Sequence, residues 1–213
     1  TIRRLAHQPD LLSAYAPPQA QTANNLWVTG LDPATHRPAL ALSHDGGLNW
    51  TVAVMPGAPE VPVNNNLAGV AYLPNPASRD GHTAYATLSI AEPAPSVTPS
   101  SSPGIVFPST QRIFRTVDGG VTWQAVDPNG SVAVGATTWV TTDGRHVVSQ
   151  RDGVVDGVTV HRFLASADGQ TYTDATLPGL PVTAQTTDGY IAQTDHAAFI
   201  TDDGWTWREV WHD

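Results

Sequence analysis

The stretch Ser43-His44-Asp45-Gly46-Gly47-Leu48-Asn49-Trp50 returns as Thr116-Val117-Asp118-Gly119-Gly120-Val121-Thr122-Trp123. A form one residue shorter stands at Ser166-Ala167-Asp168-Gly169-Gln170-Thr171-Tyr172 and again at Thr201-Asp202-Asp203-Gly204-Trp205-Thr206-Trp207. A phrase that recurs along a chain marks a supersecondary unit that recurs with it, and it outranks any local propensity. Ala39–Leu42 leads into the first copy and Thr51–Val54 leaves it; Ile113–Arg115, Phe163–Ala165 and Ala198–Ile200 precede the other three. Short apolar runs on either side of Asp-Gly predict β-hairpins. The Asp carboxylate can accept backbone N–H groups of its own turn, the Ser or Thr hydroxyl can add a second local bond, and Gly supplies positive φ. The Trp is expected to open the outgoing strand and to bury about 150–250 Å² of ring.

Working outward from the phrases gives four blade-sized units in a single domain over residues 1–213, at about 11–54, 68–126, 137–175 and 182–211. The last reads as strands Val182–Thr187, Tyr190–Thr194, Ala197–Thr201 and Trp205–Trp211. The third aligns with it, since Thr141-Thr142-Asp143-Gly144 matches Thr186-Thr187-Asp188-Gly189, and gives Thr137–Thr142, His146–Gln150, Val158–Ala165 and Thr171–Ala175. The second runs Ala68–Leu73, Thr83–Ile90, Arg112–Arg115 and Thr122–Val126. The first, less regular, runs Leu11–Ala16, Leu26–Thr29, Ala39–Leu42 and Asn49–Val54. No long stretch has a 3.6-residue period, so little helix is expected. The fold class that follows is all-β, a β-propeller of four-stranded antiparallel blades with about four blades visible.

The four phrases resemble Asp-boxes, the bacterial neuraminidase repeats of sialidase-like β-propellers. Two copies match the full pattern and two are degenerate. The resemblance implies structural turns away from any central site for Ser43, Asp45, Gly47 and Trp50, for Thr116, Asp118, Gly120 and Trp123, and for Ser166, Asp168, Thr201, Asp203 and Trp207. It also implies a secreted protein, at an extracellular, periplasmic or cell-surface address. Propellers of this family usually have six or more blades. That leaves three arrangements: a small four-bladed ring, a piece of a larger one, or a ring closed by a strand at Thr1–Ala6.

Composition narrows the chemistry. The chain has no Cys, which excludes a disulfide scaffold, a Cys-based zinc site and a thiol nucleophile. Every one of its ten basic residues is Arg, which excludes Schiff-base chemistry. A net charge of −9 argues against nucleic acid or an anionic membrane as partner. No apolar run approaches the roughly 20 residues that span a bilayer. The chain begins at Thr rather than Met, consistent with removal of a leader.

Alternating strands put the tight Asp-Gly turns on one face and the long connections on the other. These are Asp32–Pro38, Pro56–Asn66, Ala91–Ser109, Asp127–Gly130, Asp152–Gly157 and Pro178–Pro181. Long loops on a rigid scaffold are where binding usually lives. The candidate ligand-binding residues are therefore Asp32, His36, Arg37, Asn64, Asn65, Asp127, Arg151 and Asp152. Asp152 and Asp156 lack the further ligands a calcium ion needs, the His residues form no metal-binding pair, and no cofactor is expected.

The sialidase resemblance would add an Arg triad, a Phe/Tyr-Arg-Ile-Pro motif, and a Tyr nucleophile with a Glu partner. Here Phe114-Arg115 runs on into Thr116-Val117, and Glu60, Glu92 and Glu209 are the only Glu. No catalytic residue is assigned. The reading that asks least is a non-catalytic binding or assembly module holding a protein or glycan on its long-loop face. A glycoside hydrolase, or a self-assembling repeat protein, is the alternative.

Overall fold

The computed structural model of the chain describes residues 7–12, 19–20, 24–61, 74–91, 109–126, 137–155, 158–175, 182–186, 189–193 and 197–212. They form four antiparallel sheets of four strands each, every sheet laid down in chain order. The first holds β1 (Gln19–Ala20), β2 (Leu26–Leu31), β3 (Pro38–Ser43) and β4 (Thr51–Val54); the second holds β5 (Asn75–Ser78), β6 (Ala84–Ala91), β7 (Ser109–Thr116) and β8 (Gln124–Val126). The third holds β9 (Thr137–Val140), β10 (His146–Val155), β11 (Val158–Ser166) and β12 (Thr173–Ala175), and the fourth holds β13 (Val182–Gln185), β14 (Tyr190–Gln193), β15 (Ala197–Thr201) and β16 (Arg208–His212).

The repeated phrase is the turn between the third and fourth strand of each sheet, and its hydrogen bonds explain its composition. In the first copy the Ser43 hydroxyl donates to Asp45 Oδ1 (2.8 Å) and accepts from the Gly47 N–H (2.8 Å), while Asp45 Oδ1 also accepts the Leu48 and Asn49 N–H groups. The second copy repeats this with Thr116, Asp118, Gly120 and Thr122. The long form needs two successive left-handed residues, Gly46 and Gly47 or Gly119 and Gly120, and the short form only one, Gly169 or Gly204. That single residue is the whole difference between the two forms. The short copies close on Asp168 and Asp203 by the same bonds.

The same chemistry also closes turns between first and second strands. Ser78, Asp80 and Gly81 reproduce it, as do Thr141 and Asp143, whose hydroxyl–carboxylate bond is retained. The Ser78 copy has Ala84 where the short copies carry their aromatic, and it sits where the sequence reading placed no copy.

Several strands differ from expectation. The strand paired with β2 is Gln19–Ala20 rather than Leu11–Ala16; of that run, Leu12 makes an isolated bridge to Leu31. The strand paired with β6 is Asn75–Ser78 rather than Ala68–Leu73, which lies outside the described residues. Pro76 is tolerated there because β5 is an edge strand with one side unpaired. The expected loop Asp152–Gly157 is largely strand: β10 pairs with β11 as far as Val155 opposite Val158, with a bulge between Arg151 and Gly153. The aromatic of each phrase precedes the outgoing strand instead of opening it, as Trp50, Trp123, Tyr172 and Trp207 all show. The expected strand at Thr1–Ala6 lies outside the described residues.

Apolar clusters join consecutive sheets. Trp27, Leu40 and Leu42 of the first meet Leu88, Phe114 and Trp123 of the second, with Trp27 and Trp123 edge to face at 6.0 Å. Trp139, Phe163 and Ala165 of the third meet Tyr190, Trp205 and Trp207 of the fourth. The turn glycines lock these faces. A Cβ on Gly120 would lie 2.2 Å from Leu42, one on Gly169 2.7 Å from Tyr85, and one on Gly204 3.0 Å from Thr141, each on the sheet before its own.

The sheets also curl about a common side. β9 touches both β5 and β13. Arg79, in the β5–β6 turn, donates to the Asp202 carbonyl (2.8 Å) and lies 6.0 Å from the Tyr190 ring centre, so sheets two and four converge across the third. A flat stack would keep them about 20 Å apart, two sheet spacings. The fold is an all-β small propeller.

Candidate functional site

Of the residues expected to bind ligand, Asp32, His36 and Arg37 come together in the β2–β3 turn, and they serve the turn itself. Asp32 Oδ2 accepts the Thr35 N–H (2.7 Å) and hydroxyl (2.6 Å), and the Asp32 and His36 N–H groups close on Arg37 and Asp32 carbonyls. The Thr35 hydroxyl bond, ahead of the backbone N–H groups, holds the Asp32 carboxyl below its ordinary value. His36 takes the left-handed conformation, φ 53°, and its carbonyl accepts the Val61 N–H. Arg151 and Asp152 were expected at a loop tip; they belong to β10, with Arg151 opposite His161 and Asp152 in the bulge. Asn64, Asn65 and Asp127 lie outside the described residues. Among the described residues no three His, Asp or Glu side chains gather in a way that could hold a metal ion.

The most unusual chemistry lies between the second and third sheets. Tyr85 on β6 is fully buried, and its ring stacks on the buried His146 of β10 at 4.3 Å and 4°. His146 is held from three sides, with Nδ1 2.5 Å from the Tyr172 hydroxyl and Nε2 2.8 Å from that of Thr138. Burial pulls the imidazole down to about 3, so it is neutral, and burial pushes the Tyr85 and Tyr172 phenols up. The charge of Asp168 acts on both phenols in the same sense as burial, whereas the Arg115 guanidinium acts on Tyr85 in the opposite one.

Arg115, beside Tyr85 on β7, has its guanidinium carbon 5.9 Å from the Tyr85 ring centre. The Tyr85 hydroxyl and the Arg115 Nε are both buried without a hydrogen-bond partner among the described residues. Each such orphan costs about 1–3 kcal/mol. A cavity of about 100 Å³ lies on the Arg115 side, lined by Arg115, Gln124, Val126, Asp168 and Gln170 among others.

A second concavity, of about 470 Å³, lies on the fourth sheet and is lined by Tyr190, Ile191, Ile200, Thr206 and Arg208 among others. Ile200 is half-buried, and Trp211, paired with Ala198, is 44% exposed. Ala198 and Ile200 are two residues apart on one strand and so share a face.

The sequence alone assigns no role to Tyr85 or Arg115. The signal was nonetheless in the register. The residue just before the Ser or Thr of each phrase is Leu42, Arg115, Ala165 or Ile200, and only the second is charged.

No protein-family profile matches the chain, and no curated protein matches it. Solved structures do. An α-L-arabinofuranosidase from Lactobacillus brevis is 11% identical, over 91% of this chain and 70% of its own, with a TM-score of 0.44. A family 117 glycoside hydrolase from Zobellia galactanivorans is 13% identical over 92% and 67%, TM-score 0.46. An α-L-arabinanase from Penicillium chrysogenum, complexed with arabinobiose, is 16% identical over 87% and 59%, TM-score 0.43. This chain thus spans 59–70% of the length of those proteins.

Proposed function

We propose that this chain is a non-catalytic assembly module that binds protein through the outer face of its fourth sheet, the occupant being the first sheet of a second copy. One observation carries the reading: the concavity at Ile200 occupies the position that the next sheet fills elsewhere in the molecule. Leu42 meets the Gly120 turn of the second sheet, Tyr85 beside Arg115 meets the Gly169 turn of the third, and Ala165 packs with Trp205 and Trp207 of the fourth. The same slot beside Ile200 is a cavity wall. The first sheet presents a matching turn, Gly46-Gly47 followed by Trp50. A head-to-tail contact of this kind is heterologous and continues the internal packing across molecules. The turn chemistry supports grouping the chain with Asp-box, sialidase-like propellers, and that resemblance supports an extracytoplasmic address. The surface invoked is not the long-loop face to which the sequence pointed.

The rival reading is a glycoside hydrolase, and the compared propellers are all glycosidases by name. At those identities and TM-scores the likeness concerns the fold alone. That reading needs two carboxyl groups about 5–9.5 Å apart astride a glycosidic bond. Asp32, on the long-loop face, is committed to its own turn.

Sedimentation velocity of the purified chain between micromolar and millimolar concentration is the test. The reading expects reversible association that Ile200→Asp abolishes without a change in melting behaviour. Salt should strengthen it, because copies of net charge −9 repel. A chain that stays monomeric throughout refutes the reading. Release of 4-nitrophenol from an α-L-arabinofuranoside, or cleavage of arabinan, would put the glycosidase reading in its place.

A further inference from the structure

The first sheet has no sheet before it in the chain, yet the face it turns that way is largely closed. Trp27, Leu40 and Leu42 face the second sheet, so Val28, Gly30, Ala39 and Ala41, which alternate with them, face away. Val28 is 5% exposed and both alanines 0%. The segment His7–Leu12 lies on that face. On the β1 side of the sheet Leu12 exchanges both backbone hydrogen bonds with Leu31 (2.8 and 2.9 Å); on the β4 side the His7 carbonyl accepts the Trp50 indole N–H (3.0 Å). Between these anchors Leu11 rests over Gly30. A Cβ on Gly30 would lie 3.0 Å from that of Leu11 and 2.9 Å from the Leu12 carbonyl oxygen.

Two departures from the repeat mark this as a built contact. Trp123, in the other full-length phrase, donates its indole N–H to Gly120 of its own turn, and its ring meets Trp27 of the preceding sheet. Trp50 donates to His7 instead. The second sheet packs Leu88 and Phe114 against its predecessor, whereas the first carries Gly30 and Ala41 at the same register. Small residues there let the segment approach the sheet closely. Val52, paired with Ala41 and so on the same face, is left 38% exposed.

We propose that His7–Leu12 is a displaceable strap that competes with the fourth sheet of a second copy for the open face of the first sheet. The proposal rests on the head-to-tail assembly reading and adds its regulation. The two occupants exclude each other, because the aromatic of every later phrase lies against the preceding sheet and His7 holds that place at Trp50. The strap is suited to lifting. His7, Gln8 and Asp10 are exposed, and Leu12 joins β2 by an isolated bridge rather than a ladder; segments held so sparsely open at low cost. A heterologous contact that does not close on itself grows into filaments, and a strap that must lift before each addition restrains that growth. A face open about a tenth of the time weakens apparent association about tenfold.

The test compares the full chain with Gly30→Ala by sedimentation velocity. Gly30 is not in the left-handed region, so the added Cβ burdens only the strap contact. The variant should associate about tenfold more tightly or better, and adding Ile200→Asp to it should abolish the gain. Hydrogen exchange read by mass spectrometry supplies a second measurement with no variant. As the parent is raised from micromolar to millimolar concentration, peptides holding the Leu12 and Leu31 amides should exchange faster in the assembly than in the monomer, the reverse of what burial at an interface does. Equal association of the two chains, with those amides unchanged or better protected, would overturn the strap and leave the assembly reading standing. No association in either chain would remove the assembly reading, and the strap's role with it.

Discussion

Replacing Gly120 by Ala tests whether the turn glycines hold the sheets together or merely close hairpins. Gly120 and Gly144 have nearly the same backbone, φ +86° and +81°, so alanine suffers the same left-handed strain at both. Their surroundings differ completely. A Cβ at 144 meets nothing within 4 Å, whereas one at 120 lies 2.2 and 2.9 Å from the two methyls of Leu42. Leu42 is 1% exposed and packed in a cluster with Trp27 and Trp123, so those methyls cannot swing away without disturbing both rings. The strain, about 1–2 kcal/mol, is partly offset by the stiffer unfolded chain, by about 0.4–1 kcal/mol. Gly144→Ala should therefore destabilise by roughly 1 kcal/mol. Gly120→Ala adds the overpacking term of about 1–3 kcal/mol, for a total of roughly 2–4. Urea titration followed by tryptophan fluorescence resolves that difference. The cycle with Leu42→Ala isolates the contact: Leu42→Ala should cost distinctly less in the Gly120→Ala background than alone, with a coupling of at least about 0.5 kcal/mol. Equal costs at the two glycines, with no coupling to Leu42, would refute the interlocking role.

The Ser43 hydroxyl is buried and serves both Asp45 and the Gly47 N–H, so Ser43→Ala leaves that N–H unsatisfied and should destabilise by about 1–3 kcal/mol; Ser43→Thr, the residue in two other copies, should restore most of it on the same urea titration. His146 is neutral when folded, at about 3 against 6.5 unfolded, so the unfolded chain binds the extra proton between these values. Stability is then full above pH 6.5 and falls as pH drops, by about 1.4 kcal/mol per unit or roughly 2 kcal/mol by pH 5. His146→Phe should flatten that slope, and an unchanged slope between pH 6.5 and 4.5 would sink the assignment. Carboxylates act in a lower window. Backbone and side-chain bonds from Asn49 hold Asp45 at about 2, so its contribution is present above pH 4 and disappears toward pH 2.

What was readable in the sequence was what is local. Hydroxyl, carboxylate and left-handed glycine sit within five residues of one another, so the turns and the hairpins around them could be written down from the phrase. The innermost strands were harder. β1 is two residues long and β5 contains Pro76, because an edge strand needs neither length nor every N–H. The more apolar Ala68–Leu73 was the better strand by propensity, yet Asn75–Ser78 makes the ladder. The bulge at Asp152 carries β10 past a point where polarity suggests a loop. The cleft at Tyr85 and Arg115 escaped for a different reason: neither residue is unusual alone, and they stand out only once four sheets are superposed position by position.

The interlocking turns also give the molecule a direction. Each of the first three sheets is sealed by a turn that lies later in the chain, Leu42 by Gly120, Tyr85 by Gly169, Thr141 by Gly204. As the chain leaves the ribosome, every finished sheet therefore keeps one sticky face until its successor has been made. A translational pause just after Thr116 would leave Leu42 without its Gly120 turn and Trp27 without Trp123. Growth from the amino terminus is in this sense a relay, in which the hazard of misassociation is passed forward rather than removed, and the fourth sheet is where it comes to rest.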